Sequence, residues 1–205
     1  LEISISTSEL KSMDVVVPCD ISGASFWMIA GCCHPHAEIK ISNVGINPSR
    51  TGVLEVLLEM GANITKENIS SQSGEPTADI VVKTSNLKSV EIGGQIIPRV
   101  IDELPILALA ACFAEGKTII RDAKELRVKE SDRISATVSG LKTLGANINE
   151  TEDGMIINGT GKLIGGTVQS HHDHRIAMTM GIAGLVASGN TIILNSEAAE
   201  ISYPS

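Results

Sequence analysis

Aromatic side chains are scarce in this 205-residue sequence, which has one Trp, one Tyr and two Phe. The core must therefore be aliphatic, and the stacking platforms that hold single-stranded nucleic acid are lacking. A surplus of base is lacking too. Against 24 Asp and Glu stand 16 Lys and Arg, a net charge of −8, whereas binding a phosphate backbone needs a basic face; no nucleic-acid partner is expected. No uncharged apolar run reaches membrane-spanning length and no signal peptide is read, so the expectation is a cytoplasmic protein without a membrane partner. The four cysteines, Cys19, Cys32, Cys33 and Cys112, form no C-x-x-C pair. Cys32, Cys33 and Cys112 fall in apolar helical patterns, where a buried thiol is the default, and a reducing compartment fits.

With bases few, their clustering is informative. Arg127, Lys129 and Arg133 fall within seven residues together with Glu130 and Asp132, at the mouth of a predicted helix. On a helix, Lys129 and Arg133 are i,i+4 neighbours and Glu130 and Arg133 are i,i+3 neighbours, so all three share a surface. A helix N-terminus attracts anions through its free N–H groups and its dipole. The run therefore suggests a phosphate or carboxylate held beside a proton-transferring carboxyl group. The alternative is a self-paired, solvated charge cluster.

Two blocks recur along the chain. An apolar helix, a small-residue turn and a strand appear at 25–41, at 104–120 and at 176–193. An amphipathic helix closing on Gly-Ala-Asn-Ile appears twice, opened by Arg50 and by Arg133, with Gly61 and Gly145 where a C-cap glycine belongs. Short β segments follow each, at 79–83 and 92–97, then at 155–158 and 166–169. The first helix of each unit is apolar almost all round and should be buried on every side. The expected fold class is α/β (α+β), built of repeated β-α-β-α-β-β units with helices inside and sheets outside, an inside-out α/β barrel. Residues 1–18 read as two strands left over from a preceding unit. Residues 19–205 form the domain, with units at about 19–100, 101–170 and 171–205, the third cut short. The chain reads as a piece of something longer.

Several runs, taken in order, resemble the 5-enolpyruvylshikimate-3-phosphate (EPSP) synthase family, and its C-terminal half in particular. They are Asp20-Ile21-Ser22-Gly23-Ala24-Ser25-Phe26-Trp27, Asn47-Pro48-Ser49-Arg50-Thr51-Gly52 and Ile97-Pro98-Arg99-Val100-Ile101-Asp102-Glu103-Leu104-Pro105. Arg127-Val128-Lys129-Glu130-Ser131-Asp132-Arg133, Asp173-His174-Arg175-Ile176-Ala177-Met178 and Ser202-Tyr203-Pro204 complete the set. The resemblance implies a two-domain enzyme, the herbicide glyphosate's target, that is monomeric at full length and closes over its substrates. It moves the enolpyruvyl group of phosphoenolpyruvate to the 5-hydroxyl of shikimate-3-phosphate and releases phosphate, in aromatic amino acid biosynthesis, with no metal or organic cofactor.

Matched residue by residue, the resemblance implies Asp102 as the proton acceptor facing the shikimate hydroxyl. Its position before the helix near Leu104 would otherwise suit an N-cap. Glu130 is implied as the proton donor to the phosphoenolpyruvate methylene, Lys129 as a contact to shikimate-3-phosphate, and Arg133 and Arg175 as the phosphoenolpyruvate arginines. Both arginines lie at predicted helix starts, where guanidinium and free amides grip one anion together. Asp173 and His174 support Arg175; the metal-ligand reading of His171, His172, Asp173 and His174 gives way to a helix start, and His34 and His36 to a solvated turn. Arg99, Arg121 and Arg127 are expected to be structural or rim charges. Two positions depart from some family members: Glu125 stands where they have asparagine, and Ile201 where they have lysine. The family's N-terminal domain supplies further cations, so the isolated chain is expected to be inactive. The competing readings are UDP-N-acetylglucosamine enolpyruvyl transferase, which shares fold and donor, and a non-catalytic anion-binding module of the same fold.

Overall fold

The computed structural model describes residues 3–9, 11, 12 and 14–204. Three apolar helices pack against one another at its centre: α1 (Ile21–Cys33), α3 (Leu104–Phe113) and α5 (His174–Val186). Burial follows their composition. Every residue of α3 from Leu104 to Cys112 is buried, as an all-round apolar helix requires, whereas α5 keeps a solvent face with Leu185 exposed. Two amphipathic helices lie outside this trio, α2 (Gly52–Glu59) and α4 (Arg133–Thr143). α4 packs on both α3 and α5, and Gly140 permits the approach, since a Cβ there would stand 2.6 Å from the Met180 sulfur. Gly61 and Gly145 close these helices at φ of 83° and 86°. Ala62 N donates to Leu57 O and Ala146 N to Leu141 O, the six-to-one bond of a Schellman cap.

Three sheets wrap the helices. The first has β1 (Glu38–Gly45), β3 (Glu75–Lys83) and β2 (Asn63–Gln72) in that order, all antiparallel. The second repeats the arrangement with β5 (Lys117–Ile120), β7 (Met155–Asn158) and β6 (Asn147–Glu150), and adds β4 (Glu91–Ile92) parallel to β5. The third pairs β8 (Thr167–Gln169) parallel to β9 (Ile192–Leu194). A parallel bridge from Cys19 to Val44 gives β1 the same kind of neighbour. Each sheet therefore takes a parallel edge from the segment before its first helix. Helices inside and sheets outside agree with the order anticipated from the apolar patterns.

Four local expectations are corrected. No strand forms among the described residues of 3–18; these are almost all exposed and lack a ladder, their contacts with the fold including Val16 N to Ser73 Oγ at 3.3 Å. The segment expected as a strand at 92–97 keeps only Glu91–Ile92, because Gly94 at φ 65° and Pro98 turn it into a 3₁₀ helix over Gly94–Arg99. Arg50 does not open a helix but sits in the turn before Gly52. Lys129 and Glu130 likewise lie outside α4, in the turn between a 3₁₀ segment, Lys124–Val128, and Arg133.

Two further features matter below. Asp79 of β3 ties two irregularities together, accepting Asn43 N at 2.9 Å and Asn68 Nδ2 at 2.8 Å, with Lys40 Nζ 3.1 Å away. Between α1 and α5 runs an apolar groove of about 120 Å³ lined by Phe26, Trp27, Met178, Gly181, Ile182 and Tyr203, where Trp27 Nε1 donates to the Tyr203 hydroxyl at 3.1 Å. No helix among the described residues is long and apolar enough to cross a membrane.

Candidate active site

The starts of α1, α4 and α5 and the turn before α3 meet at one end of the central helices. Each of the three helices begins with an aspartate cap. Asp20 accepts Ser22 N and Gly23 N, Asp132 accepts Ser135 N at 3.0 Å, and Asp173 accepts Arg175 N at 2.9 Å and Ile176 N. These caps occupy amides that were expected to grip an anion, so at these ends side-chain cations are left to do so. α3 differs: it is entered through a 3₁₀ turn, Ile101–Glu103, with no side-chain cap. Asp102 therefore caps nothing, and its carboxylate turns to two arginines instead.

Arg133 is the centre of the cluster, 1% exposed along its side chain. Its Nε donates to Asp173 Oδ2 at 2.8 Å, its Nη1 to Asp102 Oδ1 at 3.0 Å and its Nη2 to Glu130 Oε2 at 2.5 Å. Arg175 stands beside it, with Nη1 donating to the Asp102 carbonyl at 3.3 Å and Nη2 lying 3.7 Å from Asp102 Oδ2. Asp102 thus bridges the two guanidinium groups. The carboxylates differ in access: Asp173 is fully buried, Asp102 partly exposed and Glu130 half exposed, at 0%, 29% and 52%. Burial works against the Asp173 carboxylate, but Arg133, Ser131 and the Arg175 amide outweigh it and hold its pKa below the usual range. Burial and the nearby Arg175 lower the pKa of His174, favouring its neutral form.

The fold therefore brings together Asp102, Glu130, Arg133, Arg175 and Asp173, residues drawn from three separated stretches of sequence. Lys129 does not share a helix face with Arg133, contrary to the expectation from their i,i+4 spacing: it lies before α4 and its ammonium pairs with Glu125 at 2.8 Å. Glu125 is the very position where asparagine stands in some family members. His171 and His172 precede α5 in a left-handed turn, at φ of 54° and 57°, where His172 N donates to Ser170 Oγ. Among the described residues no group of three His, Cys, Asp or Glu is arranged to hold a metal. Arg127 clamps the start of α4, donating to Asp132 Oδ2 at 2.7 Å and to the Thr151 and Glu152 carbonyls, while Arg99 pairs with Glu55 and Arg121 with Glu91. All three have partners within the fold.

One residue went unassigned at the sequence level. Glu103 is buried, accepts the Ser22 hydroxyl at 2.5 Å and lies 3.8 Å from Arg175 Nη1. The only signal for it was adjacency to Asp102 in a matched run.

With this geometry in place, comparison with known proteins is informative. Residues 2–205 match the family model for EPSP synthase (3-phosphoshikimate 1-carboxyvinyltransferase). The chain is 55% identical over 196 residues to the 3-phosphoshikimate 1-carboxyvinyltransferase of Thermoanaerobacter sp. (strain X514), covering 96% of this chain and 46% of that protein. With the Synechococcus elongatus protein of the same description it shares 55% identity over 206 residues, or 99% of this chain and 46% of that protein. A solved EPSP synthase from Acinetobacter baumannii superposes with a TM-score of 0.89 at 46% identity, over 93% of this chain and 44% of that one. The enolpyruvyl transferase NikO from Streptomyces tendae superposes at 0.72 with 20% identity, over 93% and 42%, a likeness of fold alone. The chain spans about half the length of the curated relatives it matches. Its architecture is the enolpyruvyl transferase fold.

Proposed function

The chain belongs to the EPSP synthase family, and from that membership we propose that it forms one wall of an active site for enolpyruvyl transfer. In this reading phosphoenolpyruvate donates its enolpyruvyl group to the 5-hydroxyl of shikimate-3-phosphate, and phosphate is released. The observation that carries the reading is Asp102 and Glu130 held on one buried guanidinium, Arg133, with Arg175 adjacent. Carboxyl groups that exchange protons, set beside cations that hold an anion, are what this chemistry requires.

The steps follow from charge and reach. Arg133 and Arg175 hold phosphoenolpyruvate, and Lys129 meets shikimate-3-phosphate. Asp102 takes the proton of the 5-hydroxyl as its oxygen bonds to C2 of phosphoenolpyruvate, while Glu130 delivers a proton to C3. From the tetrahedral adduct phosphate leaves, and a proton is lost from the new methyl group to restore the double bond. Arg133 is buried among three carboxylate partners, and Glu130, half exposed, is the one that an incoming anion can displace. Residues 19–205 act as one lobe, in a complete cytoplasmic enzyme that is monomeric. The opposing lobe adds cations and excludes water, so the 205-residue chain alone is silent.

The test is phosphate release from phosphoenolpyruvate and shikimate-3-phosphate. This chain alone should release none above background, and turnover should appear when the opposing half of the enzyme is added. Asp102→Asn should then lower kcat by roughly a hundredfold or more, the scale of a lost general base. Turnover with UDP-N-acetylglucosamine in place of shikimate-3-phosphate, or binding of both halves without turnover, would overturn the reading.

A further inference from the structure

Glu103 is a buried carboxylate that the proposed chemistry does not use. Its side chain is 3% exposed, and three of the fold's recurring segments converge on it. From the start of α1, the Ser22 hydroxyl donates to its Oε1 at 2.5 Å. From the turn before α2, Arg50 Nη2 donates to that same Ser22 oxygen at 2.9 Å. From α5, Arg175 Nη1 faces Oε1 at 3.8 Å. Asp102 is its chain neighbour, and the charged groups acting on it are thus Arg175, Arg50 and Asp102.

The neighbouring arginine supplies the comparison. Arg133 is backed by Asp173, a fully buried carboxylate at 2.8 Å, and shares Asp102 on its other side. Arg175 has the same two kinds of partner, Glu103 behind and Asp102 shared, at 3.8 and 3.7 Å. Each guanidinium therefore has one buried carboxylate of its own, and both lean on Asp102 between them. A buried arginine without a counter-charge is costly, so the carboxylate at its back decides where the planar fork points.

We infer that Glu103 is the positioning residue of Arg175, holding its guanidinium toward the anion-binding cleft as Asp173 holds Arg133. This rests on the proposed assignment of Arg175 to phosphoenolpyruvate. The Ser22 hydroxyl, itself steered by Arg50, fixes the Glu103 carboxylate in turn. The backing is weaker than that of Arg133, being about one ångström longer, and it is sensitive to protons. Burial raises the pKa of Glu103, and the Ser22 bond and the charges of Arg175 and Arg50 offset that only in part. Acid therefore neutralises Glu103 and releases Arg175, while the depressed pKa of Asp173 keeps Arg133 held.

The experiment uses the complete enzyme, this chain joined to its opposing half. Glu103→Gln should raise KM for phosphoenolpyruvate about fivefold, the scale of one long ion pair lost, and leave kcat within about threefold. KM for shikimate-3-phosphate should not change. In the wild type, KM for phosphoenolpyruvate should climb as pH falls through the Glu103 titration, and in Glu103→Gln it should stay high and lose that component. Ser22→Ala, which keeps the carboxylate and frees it, should give a smaller rise in the same direction. An unchanged or lowered KM in Glu103→Gln overturns the inference, and so does a parallel loss of kcat and thermal stability with KM constant. If Glu103→Gln does not fold, an unaltered KM in Ser22→Ala overturns it. If the wild-type complete enzyme releases no phosphate, the functional reading falls separately. The Arg175 Nε–H resonance then decides the positioning role, an identical line in wild type and variant overturning it.

Discussion

Arg133 is the residue on which most of the site depends, and its burial makes it vulnerable from one side. Asp173 faces it with no solvent access, so replacing that carboxylate leaves a guanidinium in the interior with one permanent partner fewer. Asp173→Asn keeps an oxygen for the α5 cap yet should still cost about 3–5 kcal/mol, the range for breaking a buried ion pair by removing one partner. Urea denaturation of the chain measures it, and a loss below about 1 kcal/mol, the worth of an exposed pair, would show that Arg133 is solvated. Arg133, Arg175, Asp102 and Glu130 were legible in the sequence because each sits in a distinctive run. Glu103 was not, because its meaning lies in Ser22, 81 residues away, and in Arg175. The Glu125–Lys129 pair was not read from the sequence either, because Lys129 was placed on the face of a helix that in fact begins only at Arg133.

Among the elements, the β2–β3 pairing has the most specific lock. Its register shifts between Glu67 and Ser70, and Asp79 answers that irregularity and the one in β1 at once. Hydrogen bonds from Asn68 and the Asn43 amide, with Lys40, pull the Asp79 pKa down to about 2. The carboxylate is thus ionised at neutral pH. Asp79→Ala should speed amide exchange in the β2–β3 ladder near Ser70 and Thr77 while the α3 amides keep their protection; equal loosening of both would mean that the lock is not local. Helices α3 and α4 were legible almost to the residue, α3 from its unbroken apolar run and α4 from its apolar period and the closing Gly145. The strand at 92–97 was misread, because the apolar Ile92, Ile96 and Ile97 outweighed Gly93, Gly94 and Pro98, which favour a turn.

For the molecule as a whole, the placement of helices inside the sheets was legible from the composition of α3, where polar residues are absent over a full 10-residue helix. The lack of strands among the described residues of 3–18 was not, since pattern alone cannot supply a pairing partner. Charge sets the whole molecule's response to acid. Asp173, Asp132 and Asp79 have pKa values lowered by their partners, so between the unfolded and folded values the unfolded chain binds more protons. Their stabilisation is present above the unfolded carboxylate range, about pH 4, and is lost as pH falls below it. Glu103 has the opposite sign: its raised pKa makes folding bind a proton, a stabilisation that fades as pH rises through that pKa. Glu55 is lowered as well, so four lowered carboxylates stand against one raised, and the lowered pKa of His174 acts in the same direction just below neutrality; Tm should ease down below about pH 6.5 and drop below about pH 4. A Tm that rises on acidification into that range would contradict the ion-pair assignments.

Trp27 is the sole indole in the sequence, and it stands at 38% exposure in the groove between α1 and α5, bonded to Tyr203. The fluorescence of the entire chain consequently reports from a single address. A helix, a lipid tail or an opposing lobe that settles into that apolar trough must dry the indole and move its emission toward the blue. A small anion that engages the arginines at the helix starts, without reshaping the trough, leaves the colour alone. The molecule carries its own optical gauge, one that separates coverage of its greasy flank from occupancy of its charged end.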